Sequence, residues 1–87
     1  MELGNNNVVK LRNGLHGIVA SFNGKPIQII FKSYNSTLDK YDENLKHKSS
    51  NFDIVGVYDG SSVDNVKKVF SKKFNEEELE CLWKETE

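Results

Sequence analysis

Two asparagine–glycine pairs, Asn13-Gly14 and Asn23-Gly24, limit the folds open to this chain more than any other feature. Both residue types accept the positive φ that two-residue hairpin turns require. Segments 8–12 and 27–32 place alternate residues on two faces, as half-buried strands do, and segment 15–22 between the turns is interpreted as the returning strand. Pro26 stands just before segment 27–32, where a strand tolerates proline. The sequence therefore predicts a three-stranded antiparallel meander.

Glycines inside two of the β-rich segments predict local irregularity. Gly17 lies within segment 15–22, where a missing side chain indicates a bulge or the close approach of another backbone. Segment 52–58 is rich in Ile, Val and Tyr, which favours a central strand, and Gly56 predicts a bend in it.

Residues 62–73 are predicted to form a helix. Ser61 or Ser62 is suited to cap its first turn, and Lys72 and Lys73 would favour its carboxyl end. Its apolar stripe would consist of Val63, Val66, Val69 and Phe70.

Two other segments allow more than one structure. Residues 33–51 are predicted to be an ordered loop with about two helical turns, because Leu38, Tyr41 and Leu45 recur at helical spacing. Residues 76–84 follow a capping-box pattern, which favours a helix, yet apolar residues alternate from Leu79 to Trp83, which favours a strand. We prefer the strand, because a five-stranded sheet closes better than a four-stranded one.

The fold class expected from these elements is α+β. It comprises a bent five-stranded antiparallel sheet with the geometry of a small SH3-like barrel and one or two short helices. The 87 residues have room for one domain, 1–87, with 1–7 as a loose polar lead-in.

Charge and cysteine content narrow the functional classes. The formal net charge of −1 argues against a dedicated nucleic-acid-binding domain, which is usually basic. The single cysteine, Cys81, cannot form an internal disulfide, and it fits a reducing, cytoplasmic compartment better than an oxidising one. The sequence has no signal-peptide pattern and no apolar run long enough for a membrane span.

Catalytic and metal-binding patterns are not recognisable in the sequence, so no enzyme activity, metal or cofactor is expected. His16 and His47 are far apart and form no close ligand pair. Cys81 is expected to be a small core residue. The carboxylates at 39, 42 and 43 do not have calcium-loop spacing, and Asp53 and Asp59 are expected to serve turns and caps.

One group of residues is a candidate binding site, because it interleaves basic and aromatic side chains between the third and fourth predicted strands. Aromatic rings can stack on the bases of a nucleotide or a single strand while lysines neutralise its phosphates. Tyr34 is expected to be the most exposed ring. The alternative is that Tyr41 packs on the sheet and the lysines are ordinary solvated charges. The candidate residues are Lys32, Tyr34, Lys40, Tyr41, Lys46, His47 and Lys48.

Four strings in segments 9–14, 41–45, 53–58 and 82–84 (VKLRNG, YDENL, DIVGVY and LWK) carry a family resemblance. Together they resemble a group of short uncharacterised proteins encoded by phages and prophages of low-GC Gram-positive bacteria. The chain departs from that group at Gly56, where a charged residue is usual, and at Cys81-Leu82, where an aliphatic pair is usual. The resemblance transfers no site residues.

With the small size and the missing catalytic patterns, the resemblance implies a non-enzymatic phage accessory protein. Such a protein would bind and inhibit a host protein, for instance one of an antiviral defence system. The alternatives are an oligomeric binder that sequesters a nucleotide signal and a small barrel that binds nucleic acid. No membrane partner is expected, and exposed sheet edges would allow two copies to pair as a homodimer.

Overall fold

Both asparagine–glycine pairs lie at hairpin turns in a computed structural model that describes residues 2–86. Asn23 and Gly24 have φ values of 51° and 78°, so they form the tight two-residue turn that was predicted. At the first pair only Gly14 has a positive φ, of 91°. Its N–H donates to the Leu11 carbonyl at 2.9 Å, which makes Arg12 and Asn13 the central turn residues. The prediction that both Asn13 and Gly14 take a positive φ is therefore wrong.

The fold is a six-stranded antiparallel sheet in the order β4-β3-β2-β1-β5-β6. The strands are β1 (Asn7–Leu11), β2 (His16–Phe22), β3 (Lys25–Ile30), β4 (Asn35–Thr37), β5 (Ile54–Asp59) and β6 (Cys81–Lys84). The meander and the strand at β6 confirm predictions. The expected count of five strands is wrong because β4, a short polar strand, lies in the predicted loop 33–51.

Irregular pairing occurs close to, but not at, both strand glycines. The β1–β5 register shifts between Lys10 and Leu11, next to Gly56, and the β2–β3 register shifts between Ala20 and Ser21. At Gly17 the prediction of a bulge or a close backbone is wrong, because the pairing there is regular and the close neighbours are side chains. A Cβ there would lie 2.6 Å from the Phe31 ring.

The predicted helix over 62–73 is wrong, because only one 3₁₀ turn, Val66–Lys68, forms there. Its three valines and several Ser, Asp and Asn residues have weak helix propensity. The side chain of Asn65 accepts a hydrogen bond from the Lys67 N–H at 3.0 Å, so the turn starts at Asn65 and not at a serine. Three more 3₁₀ turns occupy Leu38–Lys40, Ser50–Phe52 and Glu76–Glu78. No helix within residues 2–86 has the length and apolar character needed to cross a membrane.

Both faces of the sheet are covered, and each has its own core. Val8 and Val9 are adjacent in β1, both 0 % exposed, and they point into opposite cores. The first core lies under segment 38–53 and contains Val9, Leu11, Val19, Ile29, Phe31, Leu45, Ile54 and Val57. The second lies under segment 61–80 and contains Val8, Tyr58 and Val69, with Val63, Phe70, Phe74 and Leu79 packed against it.

The segment predicted to be a loose lead-in makes several contacts with the sheet. Leu3 packs against the first core, and the Asn6 N–H donates to the Val19 carbonyl at 3.1 Å. Asn7 begins β1, and its side chain accepts a hydrogen bond from the Gly4 N–H at 2.7 Å. Met1 lies outside the described residues.

Candidate functional site

Tyr34 is presented by the two-residue turn between β3 and β4. The Phe31 N–H donates to the Tyr34 carbonyl at 2.8 Å, which leaves Lys32 and Ser33 at the tip. The two rings stack with centroids 4.8 Å apart at 19°. Because Phe31 is buried and Tyr34 is 40 % exposed, the tyrosine is an outward-facing ring held by the core. Partial burial raises the pKa of its hydroxyl.

A groove of about 360 Å³, which we call the Tyr34 groove, opens on one side of this ring. Its apolar lining consists of Leu15, Phe31, Tyr34, Val69, Phe70 and Phe74. Leu15 is 46 % exposed, so part of this lining faces solvent. Lys32 on the β3–β4 turn and Lys72 on segment 61–80 also line the groove. The groove thus has an apolar floor with a cation on each of two walls.

A smaller cavity of about 190 Å³, the His47 cavity, is also lined by Tyr34. The His47 ring meets Tyr41 and Phe52 edge to face, with centroids 5.2 and 5.3 Å away. The Tyr41 hydroxyl donates to the Phe52 carbonyl at 2.8 Å, and burial raises its pKa to about 12. Tyr41 is therefore fixed as part of the wall, as the packing alternative expected, and Lys40 adds a cation.

The candidate binding residues divide into two groups in the structure. Those that line the Tyr34 groove or the His47 cavity are Lys32, Tyr34, Lys40, Tyr41 and His47. Lys46 instead binds Glu85 at 3.1 Å and lies 3.9 Å from Asp53. Lys48 is exposed and lines neither cavity. We call the first group, with the apolar lining of the groove, the Tyr34 surface.

Within the described part of the chain, the Tyr34 surface carries lysines without neighbouring carboxylates. Among residues 2–86, no Asp or Glu lines either cavity. No carboxylate in that part of the chain lies within ion-pair distance of Lys32, Lys40 or Lys72. Unneutralised lysines around aromatic rings create a local positive potential on a chain whose net charge is −1.

Glu76 links segment 61–80, which forms part of the groove, to the sheet. The sequence analysis did not identify Glu76 as a site residue. Its carboxylate accepts a hydrogen bond from Lys10 of β1 at 2.8 Å and lies 3.1 Å from Nε2 of His16 in β2. The half-buried His16 ring also meets Phe74 edge to face at 5.0 Å and lines the groove. Glu76 lies 66 positions from Lys10 and 60 from His16, and no spacing rule would connect it to them.

The pKa values of this cluster follow from its partial burial. Burial alone would raise the pKa of Glu76, but the hydrogen bond from Lys10, the backbone and the nearby positive charges lower it to about 2. For His16, burial and the charge of Lys10 together lower the pKa more than Glu76 raises it. Glu76 is therefore ionised and His16 neutral at pH 7, so the Lys10–Glu76 ion pair is the main electrostatic contact.

A second ionic cluster positions His47. Asp53 is buried, and it accepts a hydrogen bond from the His47 N–H at 2.8 Å. Arg12 lies 3.3 Å from the same carboxylate and 2.9 Å from Glu85, and Lys46 also binds Glu85, at 3.1 Å. Hydrogen bonding to Arg12 lowers the pKa of Glu85. Asp59 accepts a hydrogen bond from the Ser61 N–H at 2.9 Å, so the expectation that Asp53 and Asp59 support turns is confirmed.

The remaining sequence candidates take other places. Cys81 is exposed on the edge strand β6, so the prediction that it is a core residue is wrong. Alternation puts Cys81 on the same face of β6 as the half-buried Trp83. The β5–β6 register shifts between Val57 and Tyr58, so regular alternation does not hold along this pair of strands. No group of three or more His, Cys, Asp or Glu side chains with metal-binding geometry occurs among residues 2–86.

Comparison of the chain with protein-family models, with curated proteins and with solved structures gave no match.

Proposed function

We propose that this chain is a non-enzymatic binding protein that holds a partner protein at the Tyr34 surface. The observation that carries the proposal is the exposed Tyr34 ring, supported from below by Phe31 and flanked by two cavities with apolar and basic linings. Tyrosines of this kind are frequent hot spots, because they offer a large rigid contact area at little entropic cost.

The size of the molecule is compatible with such an interface. A standard protein–protein interface buries about 800 Å² on each partner. The described residues expose 5943 Å², so a partner centred on Tyr34 would cover only a modest fraction of the surface. The rest of the sheet and both cores would stay as they are.

The resemblance to phage and prophage proteins supports a more specific form of the proposal. In that form the partner is a host protein, the complex inhibits it, and the setting is the cytoplasm of the infected cell. A component of an antiviral defence system is the proposed target class. A small domain suits this role, because inhibition by occupation of a surface needs no catalytic group.

The proposal is tested by affinity capture with three baits: the unchanged chain, Tyr34→Ala and Phe22→Ala. Phe22 is 66 % exposed at the β2–β3 turn, outside the Tyr34 surface, so it is the matched control for loss of an exposed aromatic ring. A host protein held by the unchanged chain and by Phe22→Ala, but lost by Tyr34→Ala, supports the proposal once purified partners reproduce the pattern. Equal capture by all three baits, or capture of nothing, contradicts it. Thermal unfolding of each bait checks that Tyr34→Ala remains folded.

A nucleotide signal is the second candidate ligand, and the volume of the Tyr34 groove favours it. The groove, at about 360 Å³, falls within the usual range of roughly 300–1,000 Å³ for small-molecule sites. A base would stack on an aromatic ring while lysines meet its phosphates. An oligomer would be needed to enclose the ligand. Native mass spectrometry of protein from infected cells tests this: a bound mass of a few hundred daltons supports it, and a bare monomer counts against it.

We also propose that the sheet is related to small SH3-like barrels. The run β4-β3-β2-β1-β5 is continuous and antiparallel, and two register shifts favour bending of its strands. An experimental structure with backbone hydrogen bonds between the sheet edges would support closure. Edges that stay apart would identify an open sheet.

A further inference from the structure

The Tyr34 groove also indicates what kind of protein segment fits it. We infer that its occupant is an acidic segment that carries one apolar or aromatic side chain between its carboxylates. This inference rests on the proposed function, because it names the chemistry of the partner at the same surface.

The apolar requirement comes from the floor of the groove. Val69 is buried, and Phe31, Phe70 and Phe74 line the groove beside it. Leu15 and Tyr34 are 46 % and 40 % exposed at its mouth, so their apolar area stays in contact with water when the groove is empty. An apolar side chain placed there would remove that area from water at about 25 cal/mol per Å².

The acidic requirement comes from the two walls. Lys32 belongs to the β3–β4 turn and Lys72 to segment 61–80, so the cations come from separate elements and not from one cluster. Neither lysine has a carboxylate partner among residues 2–86. A peptide with carboxylates on both sides of its apolar anchor complements both walls and the floor together.

The carboxylate of Glu76, which contacts the groove residue His16, does not oppose this arrangement. Glu76 contacts His16, which lines the groove, but Lys10 neutralises it at 2.8 Å and Glu76 itself is not part of the lining. An approaching acidic segment therefore meets the positive potential of Lys32 and Lys72.

The inference is tested with three fluorescein-labelled peptides of eight residues and with charge-reversed protein. One peptide has a central phenylalanine flanked by glutamates, the second has alanine in place of phenylalanine, and the third has glutamine in place of each glutamate. Fluorescence anisotropy at low and moderate salt gives the dissociation constants. We expect the first peptide to bind at least about tenfold more tightly than either of the others, with affinity that falls as salt rises.

The protein variants are Lys32→Glu/Lys72→Glu and, as a control with the same change in net charge, Lys25→Glu/Lys84→Glu. Lys25 and Lys84 are exposed and outside the groove. We expect the first variant to lose about tenfold or more in affinity for the acidic peptide and the control to lose little. Equal loss in both variants, or equal affinity for the acidic and glutamine peptides, overturns the inference.

The same variants used as baits separate the two proposals. If a captured partner depends on Tyr34 but not on Lys32 and Lys72, the binding function stands and the acidic segment is refuted. If capture does not depend on Tyr34, the proposed function itself fails.

Discussion

The carboxylate of Glu76 joins segment 61–80 to two strands at once. It lies on the 3₁₀ turn Glu76–Glu78, and its partners Lys10 and His16 belong to β1 and β2. Its side chain is 15 % exposed, so these contacts are less screened by water than an ordinary surface pair. Removing the charge would leave Lys10 without its partner beside a partly buried surface.

Replacement of Glu76 tests this contact. Glu76→Gln should lower the free energy of unfolding by about 2 kcal/mol, because charge-assisted hydrogen bonds contribute about that much. Glu77→Gln changes an exposed neighbour in the same turn and should have little effect. Urea denaturation of both variants measures the difference. Equal stability of the two variants would show that Glu76 makes no net contribution.

Acid should weaken the same cluster in two steps. The pKa of His16 is lowered in the folded chain, so its contribution is present above pH 6.5 and is lost as the pH falls through the folded value. The pKa of Glu76 is lowered from 4.5 to about 2, so its contribution is lost between those values as the pH falls. Stability measured by urea denaturation from pH 7 to 2.5 should therefore fall. Below pH 4.5 the free energy of unfolding should decrease less in Glu76→Gln than in the unchanged chain. The same decrease in both proteins would show that Glu76 is not the group responsible.

At the scale of elements, tight packing between β2 and the end of β3 explains why residue 17 is glycine. A Cβ at that position would lie 2.6 Å from the Phe31 ring and 2.7 Å from Ile29. Both neighbours are buried in the first core, so they have little room to move. The stack of Phe31 on Tyr34 depends on the same packing.

Gly17→Ala should therefore destabilise the chain by about 1–3 kcal/mol, the usual cost of overpacking a core. Gly4→Ala is the matched control, because its nearest neighbour would be 3.6 Å away, an ordinary van der Waals distance. Thermal unfolding compares the two variants. A Gly17→Ala variant as stable as Gly4→Ala would mean that the Phe31 ring moves aside at little cost.

Strands and turns with a recognisable local sequence pattern were predictable. The Asn-Gly turns and the alternation in β1 and β3 needed no tertiary information, and β2 followed as the segment between the two turns. The alternation through Trp83 identified β6. The strand β4 was missed because Asn35–Thr37 has no apolar member, and its pairing with β3 alone makes it a strand.

The helix over 62–73 was expected from the spacing of four apolar residues. Val63, Val69 and Phe70 do pack in the second core, but Val66 is 47 % exposed. The weakly helix-forming residues of this segment adopt irregular turns instead.

The candidate site likewise contains some residues that the sequence predicted and others that it did not. Tyr34, Tyr41 and the nearby lysines were found because they are close in sequence. Leu15, Phe70 and Phe74 come from distant segments and join them only through the fold of segment 61–80 across the sheet. Lys46 could not be separated from the other lysines, because its partner Glu85 lies 39 positions away.

At the scale of the whole molecule, the sheet separates two cores that share β1. Segment 38–53 covers one face, and segment 61–80 covers the other with a smaller core. The smaller core has fewer buried side chains, so the segment above it is expected to open at a lower free energy.

Substitutions in β1 should reveal this separation. Val8→Ala removes two methyl groups from the second core and Val9→Ala removes two from the first, each from a side chain that is 0 % exposed. Hydrogen exchange should show that Val8→Ala increases local opening of residues 61–80, while Val9→Ala increases opening of residues 38–53. Identical exchange patterns in the two variants would identify a single cooperative unit.

His16 and Phe74 belong both to the Glu76 cluster and to the Tyr34 groove. Ligand binding in the groove is therefore coupled to the stability of segment 61–80. Any ligand that binds the groove only while segment 61–80 is in place must hold that segment closed by mass action. The stability of segment 61–80 at low pH then measures the fraction of Tyr34 grooves that hold a ligand. A titration of pH stability against a candidate partner would report binding without a label on either molecule.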